Sequence, residues 1–170
     1  MDLSGAETVD KASRAYWGPR LWTIFHSLAE ISDRRDMAML WNNLMRLTAV
    51  SMPCETCRLH LAAYMRAHAF VRFPKIHLVT GEMVKARAVA ELFVLHNAVN
   101  TRLEKPIFTS TDMAIYRKPR NELLLDINRV YEEIKVAWTP LVHSRINPAA
   151  YNDWKKHLNM MIALAAGGPA

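Results

Sequence analysis

The chain has 170 residues, 51% of them hydrophobic and 22% charged, with a formal net charge of +6. That is enough chain for one domain with a sizeable core, and the balance argues against disorder. No apolar run reaches the roughly 18 residues a bilayer span needs, and the opening MDLSGAETVDKASRAYWG lacks the basic and apolar regions of a secretory signal.

Glycine is scarce, at 5, and methionine plentiful, at 10, a balance that leans toward helices. Gly18-Pro19 marks the start of a first helix over about 19–31, with Trp22, Phe25, His26 and Ala29 along one stripe. Ser32-Asp33 breaks it and is a candidate cap for a second helix over about 34–50, with Met37, Leu40, Trp41, Leu44 and Leu47 inward. Pro53 opens a third helix over about 53–69, carrying Cys54, Cys57, Leu61, Tyr64 and Met65 down one side. Pro74 keeps residues 70–79 from forming a long helix, and Thr80 is a plausible N-cap for a fourth helix to about 104. Its stripe is Val89, Leu92, His96, Val99 and Leu103, with Asn100 beside it, and Lys105-Pro106 stops it. A short segment lies near 111–117, followed by helices over about 120–137 and from Asn147-Pro148 to about 166, with a frayed GGPA tail. No strand alternation is evident, so the class is all-α.

The only cysteines are Cys54 and Cys57, in MPCETCRLH, which excludes a disulfide-stapled scaffold and any all-cysteine zinc or iron–sulfur centre. A C-x-x-C pair can be a redox dithiol, half of a metal site or two buried small residues. A thioredoxin-like setting needs a strand before the pair, and covalent haem attachment needs His where Arg58 stands. Zinc stays open, because His60 extends the pair to C-x2-C-x2-H and six further histidines are present. The redox reading is preferred because Pro53 sets Cys54 at a helix N-terminus, where free N–H groups and the helix dipole stabilise a thiolate. Cys57, one turn on, is spaced to resolve it. His26, His96 and Asn100 sit on otherwise apolar faces. Buried polar groups on facing helices suggest a polar ligand between them, and a flavin is a natural electron acceptor for a dithiol. The basic excess falls in residues 14–110, with 13 Lys/Arg against 7 Asp/Glu. These residues are single and scattered, without a polybasic run, so no nucleic-acid partner is expected.

Three segments carry a resemblance. WGPRLWTIFHSLA (17–29) matches W-G-P-x-x-W-x-x-x-H-x-x-A, and PCETCRLHL (53–61) matches P-C-x-x-C-x-x-H. HNAVNTRLEKPIF (96–108) follows H-N-x-V-N-x-x-L-x-K-P-x-F, with Glu104 where glycine is usual. In these the chain resembles the FAD-linked sulfhydryl oxidases of the augmenter-of-liver-regeneration type, over about 15–110. The resemblance implies a four-helix bundle with a short fifth helix that binds FAD at one mouth. It divides the chain into a tail (1–13), an FAD-binding domain (14–117) and a C-terminal helical extension (118–170). Catalysis falls to Cys54, attacked by substrate thiolates, and Cys57, facing the flavin. The implied cofactor contacts are Gly18, Arg20, Trp22, His26, Cys57, His60, His96, Asn97, Val99, Asn100, Lys105 and Tyr116, with no metal.

The implied reaction passes electrons from protein dithiols, or from a thioredoxin-like carrier, through the pair to FAD and then to O2, giving H2O2. The family's structural disulfide is missing, since Phe93 and Ser110 hold its positions. So is its distal shuttle pair. Glu91 stands for a usual aromatic and Met52 for a usual tyrosine. The resemblance also implies a homodimer paired through the first two helices, for which Met37, Trp41 and Leu44 are candidates, although a core role suits them equally. A single-pair enzyme without a visible signal suits a virus-encoded pathway in cytoplasm, nucleus or virion. The alternatives are a zinc-stabilised interaction module and a non-catalytic flavin-binding scaffold.

Overall fold

Ser13, rather than Gly18-Pro19, starts the first helix. In the computed structural model, which describes residues 8–167, the Ser13 side chain accepts a hydrogen bond from Tyr16 N–H, and α1 runs Arg14–Glu30. Pro19 therefore lies inside α1. It deprives Ala15 of one amide partner, at low cost because Ala15 is exposed and its carbonyl can meet water. The second helix also starts later than its Ser-Asp signal. Ser32 is fully buried and donates to Leu28 O at 2.7 Å while accepting Trp41 Nε1–H at 3.0 Å. Asp33 pairs with Arg120. With both side chains engaged, α2 begins three residues on, at Met37–Ser51.

Cys54 is the N-cap of α3 (Glu55–Ala67), its sulfur accepting Cys57 N–H at 3.2 Å. Thr80 caps α4 (Gly81–Arg102) by accepting Met83 N–H, as its side-chain chemistry suggests. Between them Ile76–Leu78 forms only a 3-10 turn. Gly81 is required by space, since a Cβ there would lie 1.9 Å from the Asp33 carbonyl oxygen. A second 3-10 turn, Asp112–Tyr116, takes the place of the expected short fifth helix. The chain ends in α5 (Arg120–Trp138), a 3-10 turn at Thr139–Leu141 and α6 (Pro148–Ala166). Of the expected frayed tail, only Gly167 lies within the described residues, as do only residues 8–13 of the tail before α1.

The described residues contain no β-strand beyond an isolated Val142–Ile146 bridge, so the fold is all-α. The last two helices do not stand apart. Helix α5 packs along α1 and α6 along α2, so that α1 lies between α4 and α5, and α2 between α3 and α6. Their apolar side chains join one continuous core with those of α1–α4. Trp17 of α1 meets Trp138 of α5 edge-on, with centroids 5.6 Å apart, and Trp138 lies 5.1 Å from Trp154 of α6. Several polar groups in the seam are paired: Trp154 Nε1–H donates to Thr48 Oγ1 at 3.0 Å, Ser51 Oγ–H to Ala150 O at 3.0 Å, and Arg20 bonds to Glu133, whereas the buried Trp138 Nε1–H has no hydrogen-bond partner among the described residues.

This arrangement decides the role of Met37, Trp41 and Leu44, each 0% exposed. They are core, not a pairing surface. The chain's own α5 and α6 lie along part of α1 and α2, while Met39 and Val50 of α2 stay exposed. The missing structural disulfide has a non-covalent counterpart. Phe93 packs against Phe108 with centroids 6.3 Å apart. Asn97 clasps the Phe108 backbone from both sides, donating to its carbonyl at 2.9 Å and accepting its N–H at 2.8 Å.

Candidate functional site

A cavity of about 700 Å³ opens between α1, α3 and α4, and the 3-10 turn Asp112–Tyr116 supplies part of its wall. That volume is within the usual range for a cofactor site. Cys54 and Cys57 are joined as a disulfide with Cα atoms 5.2 Å apart. The two sulfurs are in different surroundings. Cys57 is 8% exposed and lines the cavity, whereas Cys54 is half-buried and outside that lining. Capping explains the split, because Cys54 precedes the first helical turn and Cys57 points back along it toward α1.

The opposite wall is aromatic. Trp22 stacks on His96 at a centroid distance of 4.1 Å, with the planes 8° from parallel. Behind them His26 Nε2 and His96 Nδ1 are hydrogen-bonded at 2.9 Å. His26 stacks in turn on Tyr116 at 4.9 Å and on Phe108 at 5.2 Å. Burial, reinforced by the His96 charge, pushes His26 down to about 3. Burial and then Lys105 lower His96 to about 4, against a smaller opposing effect of Asp112. Both rings are therefore neutral at ordinary pH, one donating to the other. His26 Nδ1 has no hydrogen-bond partner among the described residues.

The cavity gathers Gly18, Trp22, Cys57, His60, His96, Val99, Asn100, Lys105 and Tyr116 from the sequence-derived set. It leaves Arg20, His26 and Asn97 outside. Arg20 points to the α5 side, over the Tyr16 ring at 3.7 Å and against Glu133. His26 supports His96 from behind, and Asn97 holds the Phe108 loop. Lys105 is fixed at its backbone, its N–H donating to Asn100 O at 2.8 Å, while Asn100 Nδ2 donates to Pro106 O at 3.1 Å.

The same wall includes residues that motif reasoning missed. Arg14 lies N-terminal to the first motif, and its position comes from the cap at Ser13. Outside the motifs, the spacing already puts Tyr64 on the Cys57 side of α3, and Arg102 follows Val99 by three residues, so helical periodicity points to both. Glu91 turns elsewhere. It accepts the N–H of Val71, whose φ of 48° is left-handed, and burial raises its carboxyl above the usual range. Met52 lines the cavity as a buried side chain.

Among the described residues no carboxylate lines the cavity. Among the described residues no group of three or more His, Cys, Asp or Glu side chains is placed to hold a metal ion. The His60 ring instead bonds to Thr56 O at 2.7 Å. The zinc alternative thus finds no ligand set here.

Comparison with known proteins places this geometry. The model of the Erv1 / Alr family matches residues 19–118, more than half of the chain and the whole of the aromatic wall and disulfide. The chain belongs to the Erv1 / Alr family. It is similar to a protein of frog virus 3 (isolate Goorha) named "Putative FAD-linked sulfhydryl oxidase 088R", at 33% identity over 99 residues. That match covers 55% of this chain and 60% of the viral protein, so this chain spans less than two thirds of its relative's length. No solved structure matches. The family match ends just before α5, and the helices that cover α1 and α2 lie beyond it.

Proposed function

We propose that the chain is an FAD-dependent thiol oxidase that forms disulfides in dithiol proteins. The observation that carries this reading is the asymmetric disulfide, with Cys57 on the cavity wall and Cys54 toward the outside at a helix N-terminus. The residues present fit the cofactor. A flat aromatic wall suits an isoalloxazine or adenine ring, and the cations Arg102 and Lys105, with no carboxylate among the described lining residues, suit a pyrophosphate. FAD supplies a two-electron acceptor that dioxygen reoxidises, giving hydrogen peroxide.

The chain's own residues carry the thiol chemistry. A substrate thiolate attacks Cys54 Sγ, the Cys54–Cys57 bond breaks, and Cys57 departs with the electron pair as a thiolate inside the cavity. A second substrate thiolate attacks the mixed disulfide, forms the substrate disulfide and releases Cys54 as a thiolate. Amide groups at the start of α3 favour negative charge there. The neutral His26–His96 pair keeps the aromatic wall uncharged and rigid. Substrates are protein dithiols, or a thioredoxin-like carrier in their place. No helix among the described residues is long and apolar enough to cross a membrane.

Oxygen uptake with dithiothreitol tests the reading. The purified protein is expected to carry about one flavin per chain and to consume oxygen, and Cys54→Ala or Cys57→Ala should abolish uptake with helicity retained. Flavin-loaded protein that takes up no oxygen would leave the scaffold alternative standing. Unchanged turnover in both variants would remove the pair from the chemistry.

A further inference from the structure

Arg14 lies outside the residues the family match covers, which begin at 19, and none of the three motifs contains it. Its guanidinium Nη1 is nevertheless 3.9 Å from Cys57 Sγ, across the gap between α1 and α3. Local structure holds it there. Residues 10–13 form a turn in which Ser13 N–H and Oγ–H both donate to Asp10 O, at 3.1 and 2.8 Å. Trp17 Nε1–H donates to Ala12 O at 3.2 Å, tying that turn to the buried face of α1. One helical turn on, Gly18 lies beside the Arg14 stem, where a Cβ would make an ordinary contact 3.5 Å from Arg14 Cγ. Among the described residues Arg14 makes no ion pair, so its charge is not already spent on a carboxylate.

We propose that Arg14 is a positioning residue for the redox pair, holding Cys57 as a thiolate whenever the disulfide is opened. The inference rests on the thiol-oxidase reading above and extends it to a residue the motifs do not include. In the opening step the substrate sulfur bonds to Cys54, the Cys54–Cys57 bond breaks, and Cys57 takes the electron pair. A leaving thiol of lower pKa departs faster, and a fixed cation beside the sulfur lowers that pKa. Five other cavity groups bear on the same charge. His60 and Tyr64 come from α3, Arg102 from α4, Lys105 from just beyond it and Tyr116 from the 3-10 turn. His96 completes the set and is neutral. Among the described residues none of these is a carboxylate, so no anion in the described lining competes for the guanidinium or repels the thiolate. Arg102 senses the same neighbour. After burial, the Arg14 charge is the second cause that lowers its guanidinium.

The test uses the FAD-loaded full chain carrying Cys54→Ser, which leaves one thiol and keeps a good helix N-cap. The pH midpoint of Cys57 alkylation by iodoacetamide is read with and without Arg14→Gln, alongside flavin occupancy. Arg14→Gln is expected to raise the midpoint by about one pH unit, the size of effect an opposite charge near 4 Å exerts, and Arg14→Lys to restore most of the shift. Arg14 is exposed, so either change spares the core. An unchanged midpoint in Arg14→Gln overturns the proposal. A loss of flavin without a midpoint shift also overturns it and reassigns Arg14 to the pyrophosphate. Alkylation is read without turnover, so failure of the oxidase reading, no oxygen uptake by the unmodified chain, is seen separately.

Discussion

His26 and His96 meet ring to ring, Nε2 to Nδ1 at 2.9 Å, with His26 0% exposed and His96 9%. One proton lies between them and neither ring has room to charge. Both titrate below the ordinary 6.5, His26 near 3 and His96 near 4. In the unfolded chain both take up a proton near 6.5, so below that pH the unfolded state binds more protons than the folded one and stability falls. The contribution is whole above about pH 6.5 and is lost progressively as pH drops toward 4. Thermal unfolding between pH 7 and pH 4.5 is expected to show a steady fall in Tm, with proton uptake on unfolding approaching two. A flat Tm across that window would contradict the neutral pair.

Glu104 occupies a left-handed backbone, φ 54°, immediately after the C-cap residue of α4, where the motif usually has glycine. A side chain there costs about 1–2 kcal/mol, offset in part by the greater unfolded-state freedom of glycine. Glu104→Gly is expected to stabilise the fold by roughly 0.5–1 kcal/mol, raising Tm by about 2 °C. Differential scanning calorimetry reads this directly, and a lowered Tm would show that Glu104 holds an interaction the backbone strain conceals.

Lys105 faces the cavity and is one of the causes that keep His96 low. Lys105→Glu puts a like charge near the pyrophosphate and replaces a repelling neighbour of His96 with an attracting one. FAD retention is expected to weaken roughly tenfold, and His96 to titrate at higher pH. Equilibrium titration with FAD measures the first, and NMR of the imidazoles the second. Unchanged affinity would place the phosphates away from Lys105.

Because α5 and α6 cover part of α1 and α2, the surface these helices leave for a second copy is reduced to outward residues such as Met39 and Val50 of α2. Static light scattering is expected to give the mass of one chain, 19.5 kDa. A mass of two chains would mean that pairing uses these outward residues or another face. Trp154→Ala, which opens the α2–α6 seam at a fully buried indole, is expected to cost about 3–5 kcal/mol.

Helix content, the cysteine pair, the cap at Thr80 and the family itself were available in the sequence, because they depend on local spacing and side-chain chemistry, whereas α3 begins at Glu55 with Cys54 as its cap and not at Pro53. The structure alone decided where α1 starts, since the choice between Ser13 and Pro19 turned on capping against a single lost amide bond. It also put Arg20 and Asn97 outside the cavity lining and His26 directly behind the lining residues Trp22, His96 and Tyr116. Their motif spacing fixes a helix face, while the neighbour met by that face depends on helices distant in sequence. Arg14 joined the site for the same reason in reverse, as a side chain 43 positions from Cys57 brought within 3.9 Å. The largest change concerns residues 118–170. Their amphipathic periodicity showed two helices needing a partner, and only long-range packing could show that the partner is the outer face of α1 and α2. An apolar stripe records that a surface is buried, and the tertiary fold determines against what.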